Sequence, residues 1–429
     1  MRRLFAAAVV LAILATLGRM PAQANEAKPN QTKPNILLIM SDDQSTTDPM
    51  SVMPQTRAFF SGGGTKFSNA YATTPLCCPS RASTYSGLYA HNHGITKNDG
   101  SGFGQNQTWQ RLLHDDGYRT GIAGKFLNGL EADEAKHFDD RLPIESYGDP
   151  NDSRRIAGFA SDFIANAEGK DAQPWALVLA PHAPHWPLNE QPLVPRPMPS
   201  FTPPRPEADL SDKHPAVAAA ASLYARQGLP DLNPGLWEPR LGELQALDES
   251  VGVVVDRLRE HKEASNTFAI YLSDNGFLWG EHGLFHKIWP YSESTRIPMF
   301  MRWPGRIENG NVDRRLVANI DVGPTILRAA GVDPDYPVDG MSLFPRAQRR
   351  ESLLTELPDG FSNVSTGEIP PWSALIEKQR LRIEWADGFV ESYDLERDPF
   401  LDDARSPGGA RAAARLARLR ACSGADCRR

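Results

Sequence analysis

The segment from Cys77 to Gly87 carries several side chains that could do chemistry, in the order Cys-Cys-Pro-Ser-Arg-Ala-Ser-Thr-Tyr-Ser-Gly. Pro79 is typical of a first helical position and Gly87 of a helix end, so the segment predicts a helix with Cys77 at its N-terminus. Arg81 follows one turn later on the same helical face. Backbone N–H groups, the helix dipole and the guanidinium all favour an anion beside Cys77. Taken alone, the pattern suits either a thiolate nucleophile or a buried structural cysteine.

Four oxygen donors form a second group of candidate ligands: Asp42, Asp43, Asp274 and Asn275. Carboxylate and amide oxygens suit Ca²⁺ or Mg²⁺ better than zinc, so these residues predict a site for a hard divalent cation. The alternative for the adjacent pair Asp42 and Asp43 is a solvated turn. A zinc alternative draws on histidines that have neither an HExxH helix nor partner cysteines: His91, His93, His182, His185, His282 and His286.

The elements that must position these groups begin with four short apolar runs that predict buried strands: Ile36 to Met40, Ala176 to Ala180, Phe268 to Leu272 and Pro298 to Met301. The stretch from Gly242 to Glu260 has apolar residues at helical spacing. Strands that alternate with helices predict an α/β fold with a doubly wound, mostly parallel sheet and helices on both faces. Ligands of such sheets bind at the carboxyl ends of the strands.

Polar clusters follow three of the four predicted strands. Asp42 and Asp43 come after the first strand, His182 to His185 after the second, and Asp274 with Asn275 after the third. Because the carboxyl ends of parallel strands share one edge of a sheet, we expect the three clusters to converge on one site.

The composition is that of an ordinary globular protein. The chain has 429 residues, of which 40% are hydrophobic and 23% charged, so it can bury a large core. At roughly 150 residues per domain, the length predicts two or three units. The formal net charge of −7 lacks the basic excess that binds phosphate backbones, so a general nucleic-acid binder is excluded.

The first residues predict export. Met1-Arg2-Arg3 is a positive n-region, Leu4 to Leu17 an apolar h-region, and Ala22-Gln23-Ala24 a cleavage site, so residues 1–24 are interpreted as a signal peptide. An uncleaved N-terminal anchor is the alternative, although the apolar stretch is short for a membrane span. We expect a secreted or cell-envelope exported protein with no membrane span after cleavage.

The mature chain is divided into three parts by composition: an N-terminal linker over 25–33, a catalytic domain over 34–345 and a small C-terminal α+β subdomain over 346–429. An Ala/Arg-rich helix is predicted from Gly409 to Ala421. Short strand-like runs precede it: Ala374 to Ile376, Leu381 to Trp385 and Phe389 to Tyr393. The proline-rich stretch from Trp186 to Pro206 is either a surface loop that shapes the mouth of the site or a passive loop.

Four cysteines are too few for a disulfide scaffold, so stability must come from the core. Cys422 and Cys427 flank a Ser-Gly-Ala-Asp turn and are expected to pair. The adjacent Cys77 and Cys78 would need a strained ring to do so.

The segment from Cys77 to Gly87 also fits the signature Cys-X-Pro-Ser-Arg-X-X-X-X-X-Gly, and on this motif the chain resembles the formylglycine-dependent sulfatases. The resemblance runs in the family's order from Lys33-Pro34-Asn35-Ile36 through Arg296-Ile297-Pro298 to the segment 319–325, which is most of the mature chain. It implies an alkaline-phosphatase-like fold. The stretches most similar to the N-acetylglucosamine-6-sulfatase and heparan endosulfatase branch are Cys77 to Ser83, Tyr89 to His93 and Gly124 to Asn128.

The resemblance implies how the nucleophile arises and what binds beside it. Cys77 is the residue that a formylglycine-generating enzyme would oxidise, because Cys78 is out of register with the proline and arginine of the signature. The four oxygen donors named above resemble the family's four calcium ligands, and Mg²⁺ is the alternative ion.

The resemblance also implies roles for the cations. Lys125 and Lys287 resemble the two lysines that hold the sulfate group, and they would share its charge with Arg81. His185, followed by Trp186-Pro187, matches the histidine near the leaving oxygen. One position departs from the family: many sulfatases carry a histidine where this chain has Leu127. His91 or His93 is a candidate replacement, with substrate contact or helix capping as the alternatives.

The expected reaction is therefore hydrolysis of sulfate monoesters, with 6-O-sulfated amino sugars as favoured substrates and aryl sulfates as slower ones. Two alternatives belong to other functional classes. One is a phosphonate monoester or phosphodiester hydrolase of the same superfamily, which can share the nucleophile and the metal. The other is a non-catalytic protein that binds sulfated glycans.

Overall fold

The structure is a computed structural model that describes residues 33–169, 173–204, 207, 209–345, 349–404 and 409–428. The predicted signal peptide and nearly all of the predicted linker lie outside the described residues. The described chain from Lys33 onward forms one compact unit.

The strands of the described chain are, in order, β1 (Asn35–Ser41), β2 (Gly64–Tyr71), β3 (Arg119–Gly124), β4 (Asp140–Leu142), β5 (Trp175–Ala180), β6 (Thr267–Ser273), β7 (Leu278–Trp279), β8 (Phe285–His286), β9 (Met299–Arg302), β10 (Asn311–Ala318), β11 (Ser352–Leu357), β12 (Phe361–Asn363), β13 (Gly367–Ile369), β14 (Trp372–Glu377), β15 (Arg380–Trp385) and β16 (Val390–Asp394). The α-helices are α1 (Pro54–Ser61), α2 (Cys77–Ser86), α3 (Ala90–His93), α4 (Trp109–Asp115), α5 (Asp152–Glu168), α6 (Pro215–Arg226), α7 (Leu229–Glu260), α8 (Ser292–Thr295), α9 (Val322–Ala330) and α10 (Ala410–Arg420).

Within the described ranges, eight strands form the central sheet, in the spatial order β10-β2-β9-β6-β1-β5-β3-β4. Strand β9 runs antiparallel to β2 and β6, and the other neighbouring pairs are parallel. The mostly parallel α/β sheet is thus confirmed. All four apolar runs are confirmed as strands, β1, β5, β6 and β9, although β9 reverses direction.

Helices cover both faces of the central sheet. Successive side chains of β1 point to opposite faces and therefore pack in two different cores. Ile36, Leu38 and Met40 pack in a core that includes side chains of α2, α4 and α9. Leu37 and Ile39 pack in a second core with side chains of α1, α5 and α7. The predicted helix from Gly242 to Glu260 is the C-terminal part of α7. Every residue of β1 is buried, which explains why polar and apolar residues do not alternate along this strand.

The C-terminal region has its own antiparallel sheet, in the order β11-β14-β15-β16, with α10 packed beside it. This confirms a small α+β subdomain, and the three predicted runs fall in β14, β15 and β16. Its core also contains Tyr71, Tyr89 and Trp289 from the larger part of the chain. The exact boundary between residues 345 and 346 stays a prediction.

The cysteines and the proline-rich loop also follow expectation. Cys422 and Cys427 form a disulfide, whereas Cys77 and Cys78 are free and buried. The described part of the proline-rich loop, residues 186–204, contains neither helix nor strand. None of the helices in the described chain is long and apolar enough to cross a membrane.

Candidate active site

The helix that carries Cys77 begins and ends where the sequence predicts. Cys77 is the first residue of α2, and Gly87 ends the helix in the left-handed conformation with φ 72°, which glycine adopts without strain. Two backbone N–H positions near this end are unavailable to an anion, because the N–H of Cys78 donates to Asn98 Oδ1 at 3.1 Å and Pro79 has no N–H. That backbone N–H groups of this helix bind the anion stays a prediction.

The side chain of Cys77 is fully buried and faces charged groups. Its Sγ lies 2.8 Å from Lys287 Nζ, 3.5 Å from Asp42 Oδ1 and 3.9 Å from Asp43 Oδ1. Burial and the charge of Asp42 raise the pKa of the Cys77 thiol well above its usual range. The thiol form is therefore favoured, which argues against a thiolate nucleophile at this position.

The predicted oxygen ligands converge because of the register of two parallel strands. Ser41 at the end of β1 pairs with Ser273 at the end of β6. The next residues of both strands therefore meet at the same edge: the Asp43 N–H donates to Asp274 Oδ1 at 3.0 Å, and Asn275 Nδ2 donates to Asp43 Oδ1 at 2.7 Å. Asp42 and Asp43 are buried, so the solvated-turn alternative is wrong.

Three buried cations surround these carboxylates. Lys125 Nζ lies 2.6 Å from Asp42 Oδ2, Arg81 Nε lies 2.8 Å from Asp274 Oδ2, and Lys287 Nζ lies 2.6 Å from Asp43 Oδ1. Gly124 directly precedes Lys125. Its φ is 99°, and a Cβ at this position would lie 2.1 Å from the carbonyl oxygen of Ala180. Only glycine allows this close passage between β3 and β5.

The charges of this cluster shift the pKa of each carboxyl differently. Burial alone would raise the pKa of Asp42, but Lys125 and other cations hold it well below its ordinary value. Against the same burial, Lys287 and His185 lower the pKa of Asp43 to about 2. Burial and the charge of Asp42 raise the pKa of Asp274 to about 6. A bound cation would reduce the repulsion between the carboxylates of Asp42 and Asp274 and so lower the pKa of Asp274.

The donor set fits a hard divalent cation. Asn275 Oδ1 is buried and accepts no hydrogen bond from any described residue, which leaves it available as a ligand. Ligand atoms of Asp42, Asp43, Cys77 and His185 all lie within 4.8 Å of one another. This group contains two of the predicted ligands but not Asp274, whose two oxygens accept from the Asp43 N–H and from Arg81 Nε. With three cations facing three carboxylates, a divalent ion would leave the cluster with a positive excess suited to an anionic ligand.

His185 is the histidine that reaches this cluster. Its Nε2 lies 3.6 Å from Asp43 Oδ2, and its Nδ1 contacts the carbonyl oxygen of Trp186 at 2.5 Å. Burial lowers the pKa of His185. The ring of His182 lies beside it, with 4.5 Å between ring centroids.

The histidines of the zinc alternative do not meet at one site of the described chain, and neither candidate replacement for Leu127 is hydrogen-bonded to Cys77. His282 contacts Glu207 Oε2 at 2.5 Å, in a separate group with Asp402. His91 bridges Glu356 and the carbonyl of Cys422, at 2.9 and 3.1 Å. His93 bonds Ser83 Oγ at 3.0 Å, and Leu127 is buried in the core.

Two residues that support the site, Asn319 and Arg240, were not predicted from the sequence to do so. Asn319 Nδ2 donates to Ser80 Oγ at 2.9 Å, and this segment was noted only as part of the resemblance. Arg240 of α7 donates to the carbonyls of Asp43 and Pro184, at 2.6 and 3.1 Å, and so joins the loops after β1 and β5. No local pattern marks Arg240, because its partners lie far away in the chain.

The chain has relatives among known sulfatases. It is 29% identical over 425 residues to an extracellular sulfatase SULF-1 homolog of Drosophila melanogaster, covering 90% of this chain but only 38% of that protein. It is 27% identical over 476 residues to the human N-acetylglucosamine-6-sulfatase, covering 92% of this chain and 86% of that protein.

Solved structures share the fold. One is a complex with its substrate D-glucosamine-2-N,6-O-disulfate, with TM-score 0.73, 22% identity and coverage of 91% of this chain and 97% of that one. A phosphonate monoester hydrolase from Silicibacter pomeroyi has TM-score 0.70 and 22% identity, over 90% of this chain and 93% of that one. The profile of the family described as Sulfatase matches residues 34–332, well over half of the sequence. The chain therefore belongs to the sulfatase family.

Proposed function

We propose that this protein hydrolyses sulfate monoesters, with 6-O-sulfated amino sugars as its substrates and formylglycine at position 77 as its nucleophile. The observation that carries the proposal is the environment of Cys77. The residue begins a buried helix and contacts Lys287, while Arg81 and Lys125 are bound to the same carboxylate cluster. Such a group of fixed cations is suited to a small anion in a site without water.

Three cations of this chain would bind the sulfate group. Lys125 and Lys287 each have one carboxylate partner within 2.6 Å, which orients their ammonium groups around position 77. Arg81 Nη2 is buried, donates no hydrogen bond to any described residue and lies 3.4 Å from Asp42 Oδ2, its ion-pair partner. This unsatisfied N–H donor is available to an oxygen of the sulfate group.

The side chain at position 77 is the group that reacts. Formylglycine, once formed, would supply as its hydrate one hydroxyl that gives up its proton and bonds to sulfur as the sugar oxygen departs. Its second hydroxyl would lose a proton as sulfate leaves and the aldehyde forms again. Lys287 Nζ, 2.8 Å from the present Sγ, would donate a hydrogen bond to the oxygen at this position. The burial that keeps Cys77 a neutral thiol is no obstacle, because an aldehyde hydrate does not depend on a thiolate.

Asp42, Asp43, Asp274 and Asn275 would hold Ca²⁺, with Mg²⁺ as the alternative. The bound ion would supply a Lewis acid that neutralises charge on the transferred group. The orphan Asn275 Oδ1 and the hard carboxylate oxygens support this assignment.

His185 would protonate the leaving oxygen. Its ring is partly exposed beside the cluster, and the charge of Asp43, whose Oδ2 lies 3.6 Å away, opposes the lowering of the His185 pKa by burial. The contact between Nδ1 and the Trp186 carbonyl keeps the Nε2 side towards the cluster. A sugar alkoxide is a poor leaving group and depends on such an acid, whereas a phenolate does not.

The substrate class is supported by the relatives. The human relative, of which the match covers 86%, is named an N-acetylglucosamine-6-sulfatase, and the solved complex holds a 6-O-sulfated glucosamine. The phosphonate monoester hydrolase shares the fold at 22% identity, so the fold by itself does not discriminate sulfate from phosphonate esters.

The first test is a mass measurement on the peptide that contains position 77, combined with assays on the purified wild-type protein. We expect formylglycine in place of cysteine, and hydrolysis of N-acetylglucosamine 6-sulfate faster than that of a phosphonate monoester. An active protein with an unmodified thiol would refute the nucleophile. A reversed order of kcat/KM would instead identify a phosphonate hydrolase, and binding without turnover by modified protein would identify a glycan-binding protein.

The second test addresses the acid. His185→Ala should lower kcat/KM for N-acetylglucosamine 6-sulfate by about a hundredfold or more, and for an aryl sulfate by much less, because general acid catalysis matters most for a poor leaving group. His93→Ala is the matched control, since its ring bonds Ser83 and does not touch the cluster. Equal losses on both substrates in His185→Ala would remove this residue from the acid role.

We also propose that residues 1–24 direct export, that the mature protein is secreted or retained in the cell envelope, and that a formylglycine-generating enzyme acts on Cys77 during maturation. N-terminal sequencing of the exported protein should begin near Asn25. A retained Met1 would refute cleavage.

A further inference from the structure

The aromatic ring of Tyr147 lies at the mouth of the site, although no motif includes it. Tyr147 is in the loop between β4 and α5 and is 42% exposed. Its ring centroid is 5.7 Å from Lys125 Nζ, and the ring packs edge-on against His182 with 4.6 Å between centroids. The ring of His185 lies 6.2 Å away. Tyr147 thus touches the sulfate-binding side of the site and the side of the acid, while part of its ring faces solvent.

The ring is held in place by its hydroxyl. Asn128 Nδ2 donates to the Tyr147 hydroxyl oxygen at 3.1 Å, and the Asn128 N–H donates to Cys78 Sγ at 3.0 Å. The chain of contacts therefore connects Tyr147 to the residue after the nucleophile. A ring fixed in this way binds a ligand with little further loss of conformational entropy.

The position of the sulfate group determines where the rest of the substrate must lie. The sulfate is held among Arg81, Lys125 and Lys287, and the leaving oxygen lies next to His185 in the proposed reaction. The sugar ring attached to that oxygen must therefore leave the buried cluster past His185. The partly exposed ring of Tyr147 is on this path.

We propose that Tyr147 is a specificity residue whose ring stacks on the apolar face of the leaving sugar; this inference rests on the proposed function. One face of a pyranose presents C–H groups with a small positive charge, and the face of an aromatic ring is negative. Stacking would add affinity for a sugar sulfate and none for inorganic sulfate. Trp186, directly after His185 and 61% exposed, is the competing aromatic residue.

The experiment measures binding in full-length protein that carries Cys77→Ala, so that bound substrate is not consumed. The dissociation constant of N-acetylglucosamine 6-sulfate is measured by calorimetry after adding Tyr147→Ala, Tyr147→Phe, Trp186→Ala or Phe400→Ala. Phe400 is the matched control because it is an exposed aromatic residue, at 59%, of the C-terminal region. Inorganic sulfate is the second ligand for every variant.

We expect Tyr147→Ala to weaken binding of the sugar sulfate about five- to tenfold, the range given by an aromatic contact. Tyr147→Phe should weaken binding less than Tyr147→Ala, by at most about threefold, because the ring and its packing on His182 are kept while the hydrogen bond from Asn128 is lost. Phe400→Ala should have no effect, and binding of inorganic sulfate should not change in any variant.

Three results would overturn the inference. Equal weakening of sugar sulfate and inorganic sulfate by Tyr147→Ala would show that the residue only supports the cation cluster. A loss in Tyr147→Phe as large as in Tyr147→Ala would assign the effect to the hydroxyl and Asn128. An effect confined to Trp186→Ala would place the stacking residue there. Failure of the proposed function would be seen separately, as wild-type protein that hydrolyses no sulfate ester.

Discussion

Two buried groups of charged and polar side chains in this protein differ in how completely they are satisfied. In the C-terminal region, the fully buried Glu391 accepts four hydrogen bonds, from the His214 N–H, Trp385 Nε1 and the hydroxyls of Tyr291 and Tyr393, at 2.6–3.1 Å. Burial and the Glu391 carboxylate raise the pKa of both tyrosines, which therefore remain donors. We call this group the Glu391 cluster.

The group around Cys77 is incomplete by comparison. Asp42, Asp43 and Asp274 share three cations, yet Arg81 Nη2 and Asn275 Oδ1 are buried without hydrogen-bond partners in the described chain. Unpartnered buried polar atoms cost free energy, of about 1–3 kcal/mol each, unless a ligand satisfies them. We infer from this difference that the Glu391 cluster serves stability and that the Cys77 cluster binds ligands. The predictions below test this division.

The largest expected effect is on turnover. Cys77→Ala should lower kcat about a thousandfold or more, because it removes the nucleophile, with little change in Tm. Cys78→Ser is the matched control, since the adjacent side chain contacts Asn128 and has no role in the reaction. Mass analysis, steady-state assays and thermal melts measure the outcome. Comparable losses in both variants would contradict the assignment of Cys77.

A smaller loss of activity is expected from Asp274→Asn, in parallel with lower calcium content measured by atomic emission. Removing one carboxylate weakens the cation site, and we expect about a hundredfold lower kcat/KM. The free energy of unfolding should also fall, by about 3 kcal/mol, because the new NH₂ group would face Arg81 Nε, which Asp274 Oδ2 pairs with at 2.8 Å. Activity and calcium content are therefore measured on the folded protein. Full activity of wild-type protein after exhaustive chelation would rule out the metal.

The Glu391 cluster should respond in the opposite way. Glu391→Gln places an NH₂ group against donors, and we expect it to lower the free energy of unfolding by about 3 kcal/mol, seen as a drop in Tm. The kcat of the folded fraction should stay near that of the wild type. A loss of kcat without a change in Tm would show that this cluster takes part in the reaction.

The smallest effect is expected from the double variant Cys422→Ser and Cys427→Ser. The disulfide closes a loop with a sequence separation of only 5. Removing it should therefore cost at most about 2 kcal/mol of stability, measured by denaturant unfolding. The Cys422 carbonyl, which accepts from His91 and Asn92 side chains, is kept in the variant. Collapse of the fold would show that the disulfide is needed to hold this contact.

The sequence by itself determined the features that arise from near neighbours. The helix that starts at Cys77, the buried strands and the Cys422–Cys427 pair were all predictable, because periodicity, proline, glycine and loop length act locally. The acidic residues after β1 and β6 could be placed at one sheet edge, because parallel strands of one sheet share their carboxyl ends. The roles of Lys125, Lys287 and His185 had to be suggested by the resemblance to sulfatases.

Only the tertiary structure decided which groups meet across the fold. It brings His185 to the cluster and ties His91 and His93 elsewhere. In the folded protein the Cys78 N–H donates to Asn98, and several donors surround Glu391. The ring of Tyr147 lies beside Lys125 at the mouth of the site. These contacts join residues from distant segments, so they depend on strand register and on how loops pack over the sheet edge. No local pattern of residue types records that packing.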